Sequence, residues 1–226
     1  MSTGMFLLYL AALMILPLWA QMKVKSTYKK YSSVNTSSMK TGKEVAQTIL
    51  NENGLLNVTV EEVTGVLTDH YDPRSKVVRL SSNNFHGQSM ASSAVAAHEV
   101  GHAIQDAEEY MFLKFRSALV PLASFGSNSA MFIILAGIIF NANNLIGVGI
   151  IFMSFAVLFQ LITLPVEFDA SSRAMDQLVS TGMIVNAEER DTKKVLNAAA
   201  LTYVAAALVA VAELMRFILI FFNNRD

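Results

Sequence analysis

His98-Glu99-Val100-Gly101-His102 sits inside a longer run, Ser89 to Tyr110, that reads as one helix, and the rest of the chain is organised around it. Residues four apart on a helix stand one above the other, about 5 to 6 Å apart at Cβ, so the imidazoles of His98 and His102 leave one face and can reach one ion. Zinc binds imidazole nitrogen at about 2.0 to 2.1 Å, and a catalytic zinc takes three protein ligands and keeps a fourth position for water. A third ligand must therefore come from elsewhere. Glu99 lies on the same side of the helix, and this motif uses its carboxylate as the general base that takes a proton from water attacking a peptide carbonyl. Gly101 costs a helix interior about 1 kcal/mol against alanine, which predicts close approach by another segment.

The chain has 226 residues, 53% of them hydrophobic and only 15% charged, with positive mean hydropathy. That composition is far from a soluble globular average and predicts membrane spans. Cysteine is absent, which excludes a disulfide framework and a thiolate metal site and leaves ligation to histidine and carboxylate. The net charge of -1 does not by itself indicate a partner, and no nucleic acid is expected.

Met5 to Gln21 is an apolar run just long enough to cross a bilayer. It has no lysine or arginine before it, and Leu18-Trp19-Ala20 is a poor cleavage site, so it is read as an uncleaved anchor and not a signal peptide. Lys23, Lys25, Lys29 and Lys30 follow, which by the positive-inside tendency holds that end in the cytoplasm. Residues 23 to 40 show no periodicity and are expected to be a solvated linker, with Tyr28 and Tyr31 resting on anionic lipid. A helix is predicted from Thr41, where Thr41-x-x-Glu44 forms a capping box, to Asn53-Gly54. Leu56, Val58 and Val60 then alternate with polar residues, while Val66 to Tyr71 and Lys76 to Leu80 flank the turn Asp72-Pro73-Arg74-Ser75, giving a small antiparallel sheet. An edge strand of this sheet could hold extended substrate by backbone pairing, and His70 and Tyr71 are candidate donors to an oxyanion.

Beyond the motif helix, Ser117 to Phe140 and Asn143 to Val166 read as a transmembrane hairpin joined by the uncharged turn Asn141 to Asn144, and Ala198 to Phe222 reads as a last span. Within that span Glu213 and Arg216 are expected to neutralise one another. Only Arg225 lies beyond it as a basic residue. Glu167, after the hairpin, is the expected third metal ligand. Glu108 and Glu109 lie too far along the motif helix, and Glu188 and Glu189 belong to the first turn of a helix capped by Asn186. His70 and His86 stay open as rivals.

Three stretches together, His98-Glu99-Val100-Gly101-His102, Asp69-His70-Tyr71-Asp72-Pro73 and Pro165-Val166-Glu167-Phe168-Asp169-Ala170-Ser171, resemble the YugP family of bacterial membrane zinc metallopeptidases over nearly the whole chain. More distantly, the motif helix and the later glutamate-led helix resemble HtpX and its gluzincin relatives. In those proteases an aspartate four residues after the glutamate ligand orients a zinc histidine. Here that place holds Ser171, so Asp106, Asp169 and Asp176 become candidates for the task, and Arg173 beside them has no assigned role.

The expected protein is thus an α+β membrane protein, mainly helical, with four transmembrane helices and a zincin-like HExxH catalytic domain carrying a small antiparallel sheet. Its expected parts are an anchor (1–22), a cytoplasmic catalytic segment (23–116), the hairpin (117–166), a second cytoplasmic segment with the third ligand (167–197) and a last helix (198–226). The expected activity is zinc-dependent endopeptidase action on membrane or membrane-associated proteins, with Zn2+ on His98, His102 and Glu167 and with Glu99 as base. The resemblance implies a bacterial plasma-membrane enzyme. The expected partners are a protein or peptide substrate and the lipid bilayer, with room for a membrane-protein partner or an oligomer. A site-2-type intramembrane protease is disfavoured, because the residues around His98 are too polar for a span. The alternative from another class is a non-proteolytic, zinc-stabilised membrane scaffold or regulator, against which the intact Glu99 argues.

Overall fold

The computed structural model of the chain describes residues 3–223. Arg225 therefore lies outside the described residues. The elements in order are α1 (Thr3–Tyr31), α2 (Gly42–Glu52), β1 (Thr59–Val63), β2 (His70–Asp72), β3 (Val77–Ser81), α3 (Ser82–His86), α4 (Met90–Ala107), α5 (Met111–Ile139), α6 (Asn143–Ser180) and α7 (Asn186–Asn223). The helices α1, α5, α6 and α7 are each long and apolar enough to cross a membrane. The chain divides into two compact units, one made of Met1–Leu18, Met111–Pro165 and Tyr203–Asp226, the other of Trp19–Tyr110 and Val166–Thr202.

In the first unit the packing centre is Ile134, Ile146 and Phe217, with Ile150, Met153, Ile220 and Phe221 against it. Gly126 lets the carbonyl of Phe152 approach its Cα face, which brings α5 and α6 close together. Large apolar side chains stay outside: Phe132 is 75% exposed. Such a surface is at home in hydrocarbon and costly in water. The expected ion pair forms, with Arg216 Nη2 donating to Glu213 Oε2 at 2.6 Å, and Tyr9 donates its hydroxyl to Glu213 Oε1 at 2.9 Å. The carboxylate in this apolar setting is thereby satisfied on both oxygens.

The second unit has a mixed core of Val45, Ile49, Leu50, Val78, Leu80, Ala94, Val100, Ile104 and Leu178. The capping box is present. Thr41 Oγ1 accepts from Glu44 N at 3.2 Å and Glu44 Oε2 accepts from Thr41 N at 2.8 Å, an arrangement worth about 1 kcal/mol to the helix. The helix α4 starts the same way, with Ser89 accepting from Ser92 N at 3.1 Å. Past α6 the chain turns through Gly182, whose φ of +67° suits glycine and ends the helix.

Four expectations need correction. The sheet is mixed: its order is β1-β3-β2, with β2 antiparallel to β3 but β1 parallel to it. The tight Asp72 to Lys76 turn makes β2 and β3 antiparallel neighbours, and β1 takes the far edge of β3 and not the free edge of β2, which sets it parallel to β3. A period-two pattern reports which face is buried and says nothing of pairing direction. Secondly, Val66 to Tyr71 is strand only from His70, since Gly65 and Leu67 both have positive φ and form a turn. Thirdly, residues 23 to 40 are not all linker. The helix α1 continues to Tyr31, which is buried and donates its hydroxyl to Asp191 at 3.0 Å, while Tyr28 donates to Asn84 Oδ1 at 2.8 Å. Both tyrosines are thus bonded to protein groups. Finally, α7 is one helix of 38 residues in which Asn186 is already helical. The carboxylate of Glu188 accepts instead, from Val185 N at 2.9 Å and from Ser37 N at 2.7 Å.

Candidate metal centre

The crossing of α4 and α6 builds the site, and Gly101 permits it. A Cβ on Gly101 would lie 2.6 Å from the Ala170 carbonyl oxygen. The two backbones therefore meet at a distance no other residue allows without a shift. Glu167 is three residues before Ala170, so the approach that needs the glycine also carries the carboxylate to the histidine face of α4.

Glu167 Oε2 lies 3.3 Å from His98 Nε2 and 3.7 Å from His102 Nε2. The histidine rings are 4.8 Å apart at their centroids and inclined at 81°. One ligand atom from each of the three residues lies within 4.8 Å of the others, and Glu167 is 3% exposed. A tetrahedral ion with bonds of about 2.0 to 2.1 Å spaces its ligand atoms about 3.3 Å apart, which these separations fit. The donor set of two imidazoles and a carboxylate also suits zinc.

The other nitrogen of each imidazole is occupied. His98 Nδ1 lies 3.2 Å from Ser171 Oγ, and His102 Nδ1 lies 3.0 Å from Gln105 Oε1. Each ring thus turns its Nε2 towards Glu167 while its Nδ1 is anchored in the protein, as metal-binding histidines usually are. Gln105 is fully buried and donates from Nε2 to Val166 O at 2.8 Å and to Asp169 Oδ2 at 2.7 Å. Asp169 in turn accepts from Arg173 Nε at 2.6 Å, and Arg173 Nη1 donates to Glu108 Oε2 at 2.7 Å.

Glu99 is 9% exposed. Burial pushes its carboxyl up to about 7; His98 and a backbone hydrogen bond from Tyr71 pull the other way, and the charges of Glu167 and Asp69 add to the rise. A carboxyl poised there exchanges protons near neutral pH. The Tyr71 donor comes from β2, an edge strand of the sheet.

The remaining candidates are placed as follows. Tyr71 Oη donates to Asp106 Oδ2 at 2.7 Å, and Lys76 Nζ donates to the same oxygen at 2.5 Å. Burial and that carboxylate hold the phenol protonated well above its usual range. Asp106 is thereby engaged with the hairpin and not with His98 or His102. His70 is exposed, with Nδ1 2.8 Å from Thr68 O, and His86 is exposed and paired with Glu62 at 3.1 Å. Neither joins the group. Glu188 serves the start of α7, and Glu108 holds Arg173. Asp176 lines a polar cavity of about 350 Å³ with Asp169, Arg173 and Gln177. Sequence reasoning missed Gln105 altogether. Its only local signal is a place one helical turn after His102, and its partners are more than sixty residues away.

A family model described as "Putative neutral zinc metallopeptidase" matches residues 6–222. Among curated proteins, "Putative membrane protease YugP" of Bacillus subtilis (strain 168) is similar: 54% identical over 222 residues, which covers 98% of this chain and 99% of that protein. No solved structure matches the chain.

Proposed function

The chain belongs to this zinc metallopeptidase family, and we propose that it is an integral membrane zinc endopeptidase of the HExxH, gluzincin-like type whose metal is held by His98, His102 and Glu167. Its cofactor is Zn2+. The observation that carries the proposal is the meeting of three ligand atoms from α4 and α6 within 4.8 Å, with a buried carboxylate, Glu99, beside them.

Zinc, when bound, polarises a peptide carbonyl and makes water a better acid. The protein supplies the rest. Glu99 takes the proton from the attacking water and returns it to the departing amine nitrogen, so that water adds across the peptide bond and the base is regenerated. The Tyr71 backbone favours the ionised form of that carboxylate. Ser171 and Gln105 hold the imidazoles at Nδ1, leaving Nε2 for the ion. Substrates are proteins or peptides presented at the bilayer. Lysines and arginines crowd Lys23 to Arg116 and Arg173 to Lys194, whereas Asn141 to Asn144 has none, which supports a site on the cytoplasmic side.

The test is incubation of detergent-purified, zinc-loaded protein with an unfolded substrate such as casein. Wild type should cleave it, chelator should stop cleavage and zinc should restore it. Glu99→Gln should be inactive with its zinc in place. Equal inactivity of both proteins would favour a zinc-stabilised scaffold.

A further inference from the structure

The hydrogen bonds around Gln105 have a direction that follows from donor chemistry alone. Two of its three neighbours, the Val166 carbonyl and the Asp169 carboxylate paired with Arg173, accept and cannot donate. They lie 2.8 and 2.7 Å from one terminal atom of the side chain, which must then be the amide nitrogen. The opposite orientation would set a carbonyl oxygen against two acceptors. It follows that the oxygen of Gln105 faces His102 Nδ1 at 3.0 Å. That oxygen only accepts, so Nδ1 must carry a hydrogen, and in the neutral imidazole it is then Nε2 that keeps the lone pair for an ion.

We propose that Gln105 is a positioning residue that locks His102 into the Nδ1–H tautomer, with Asp169 and Arg173 as the clamp that stops the glutamine from turning. The device spans both helices of the site. Gln105 stands on α4, its two acceptors on α6, and the outer end closes back through Arg173 onto Glu108 just past α4. His98 is treated differently. Its Nδ1 partner is the Ser171 hydroxyl, which can donate or accept and so imposes no tautomer. Asp169, two residues before Ser171, reaches the other histidine through Gln105. The side chain of Gln105 is fully buried, so water cannot replace either half of its task.

This inference rests on His102 being a metal ligand, yet its first readout needs no metal. Full-length protein carrying 15N-labelled histidine, in detergent and free of metal, gives long-range proton–nitrogen correlations that distinguish the two tautomers. Removal of His70 and His86 by substitution with glutamine leaves two imidazoles to assign. His102 should be in the Nδ1–H form in wild type. In Gln105→Leu it should exchange between tautomers, and zinc affinity measured by competition with a chromophoric chelator should fall 10- to 100-fold. Asp169→Leu should act in the same direction but more weakly, because Val166 O still holds the amide, and it keeps the test open if Gln105→Leu does not fold. A neutral His102 in wild type with its one proton on Nε2 would overturn the lock, as would unchanged tautomer and zinc affinity in a folded Gln105→Leu. An Nδ1–H form at His102 in a wild type that takes up no zinc would uphold the lock and overturn the metal site.

Discussion

Replacing Gly101 with alanine tests whether the close crossing of α4 and α6 sets the metal site. The new Cβ would meet the Ala170 carbonyl oxygen at 2.6 Å and its carbonyl carbon and Cα at 3.2 Å. All three are backbone atoms, so no side-chain rotation relieves the clash. Restoring ordinary contact requires α6 to move by roughly 0.8 Å, at an overpacking cost of about 1 to 3 kcal/mol. Alanine recovers about 1 kcal/mol of helix propensity, so the net loss of stability should be about 0 to 2 kcal/mol. Zinc ligands tolerate displacements of only about 0.2 Å, and Glu167 moves with Ala170. Zinc affinity should therefore fall at least tenfold while the protein stays folded. Chelator competition measures the affinity, and thermal unfolding with and without zinc measures the rest. Gly182→Ala is the control. Its φ of +67° makes alanine cost about 1 to 2 kcal/mol in backbone strain with open space around the Cβ, so it should lower stability without changing zinc affinity. Wild-type zinc affinity in Gly101→Ala, or an equal loss in Gly182→Ala, would refute the reasoning.

Two further outcomes are expected. Glu188→Ala removes the acceptor of Val185 N and Ser37 N and should cost about 1 to 2 kcal/mol, as lost helix caps do; chelator competition should show unchanged zinc affinity, and a loss there would give Glu188 a role at the metal. Single cysteines at Asn57, Asn144 and Ser180, all exposed in a chain with no cysteine of its own, should label with a membrane-impermeant thiol reagent in intact cells at Asn144 only; opposite labelling of Asn57 and Ser180 would remove Glu167 from the site.

Much of the local structure could be read from the sequence because it is encoded locally. The capping box at Thr41, the start of the motif helix at Ser89, the turn after Asp72 and the four long apolar helices each depend on residues within a few positions of one another. The meeting of Glu167 with His98 and His102 was reached by eliminating other carboxylates, and Gly101 signalled that something packs there. What could not be read depends on distant partners. The helical extension of α1 rests on Tyr28 and Tyr31 finding Asn84 and Asp191, which a lysine- and serine-rich segment gives no pattern to foresee. The parallel pairing of β1 with β3 is a choice of sheet edge, and Gln105 acquires its role only from acceptors across the helix crossing.

The most direct test of the account is the zinc content of detergent-purified protein after exhaustive dialysis, compared among wild type, His98→Ala, His102→Ala, Glu167→Ala and Glu99→Gln. Two remaining ligands hold zinc poorly, so the account predicts one bound zinc per chain in wild type and in Glu99→Gln, and none in the other three. Stoichiometric zinc in any folded variant lacking His98, His102 or Glu167, or its loss from Glu99→Gln, would contradict it.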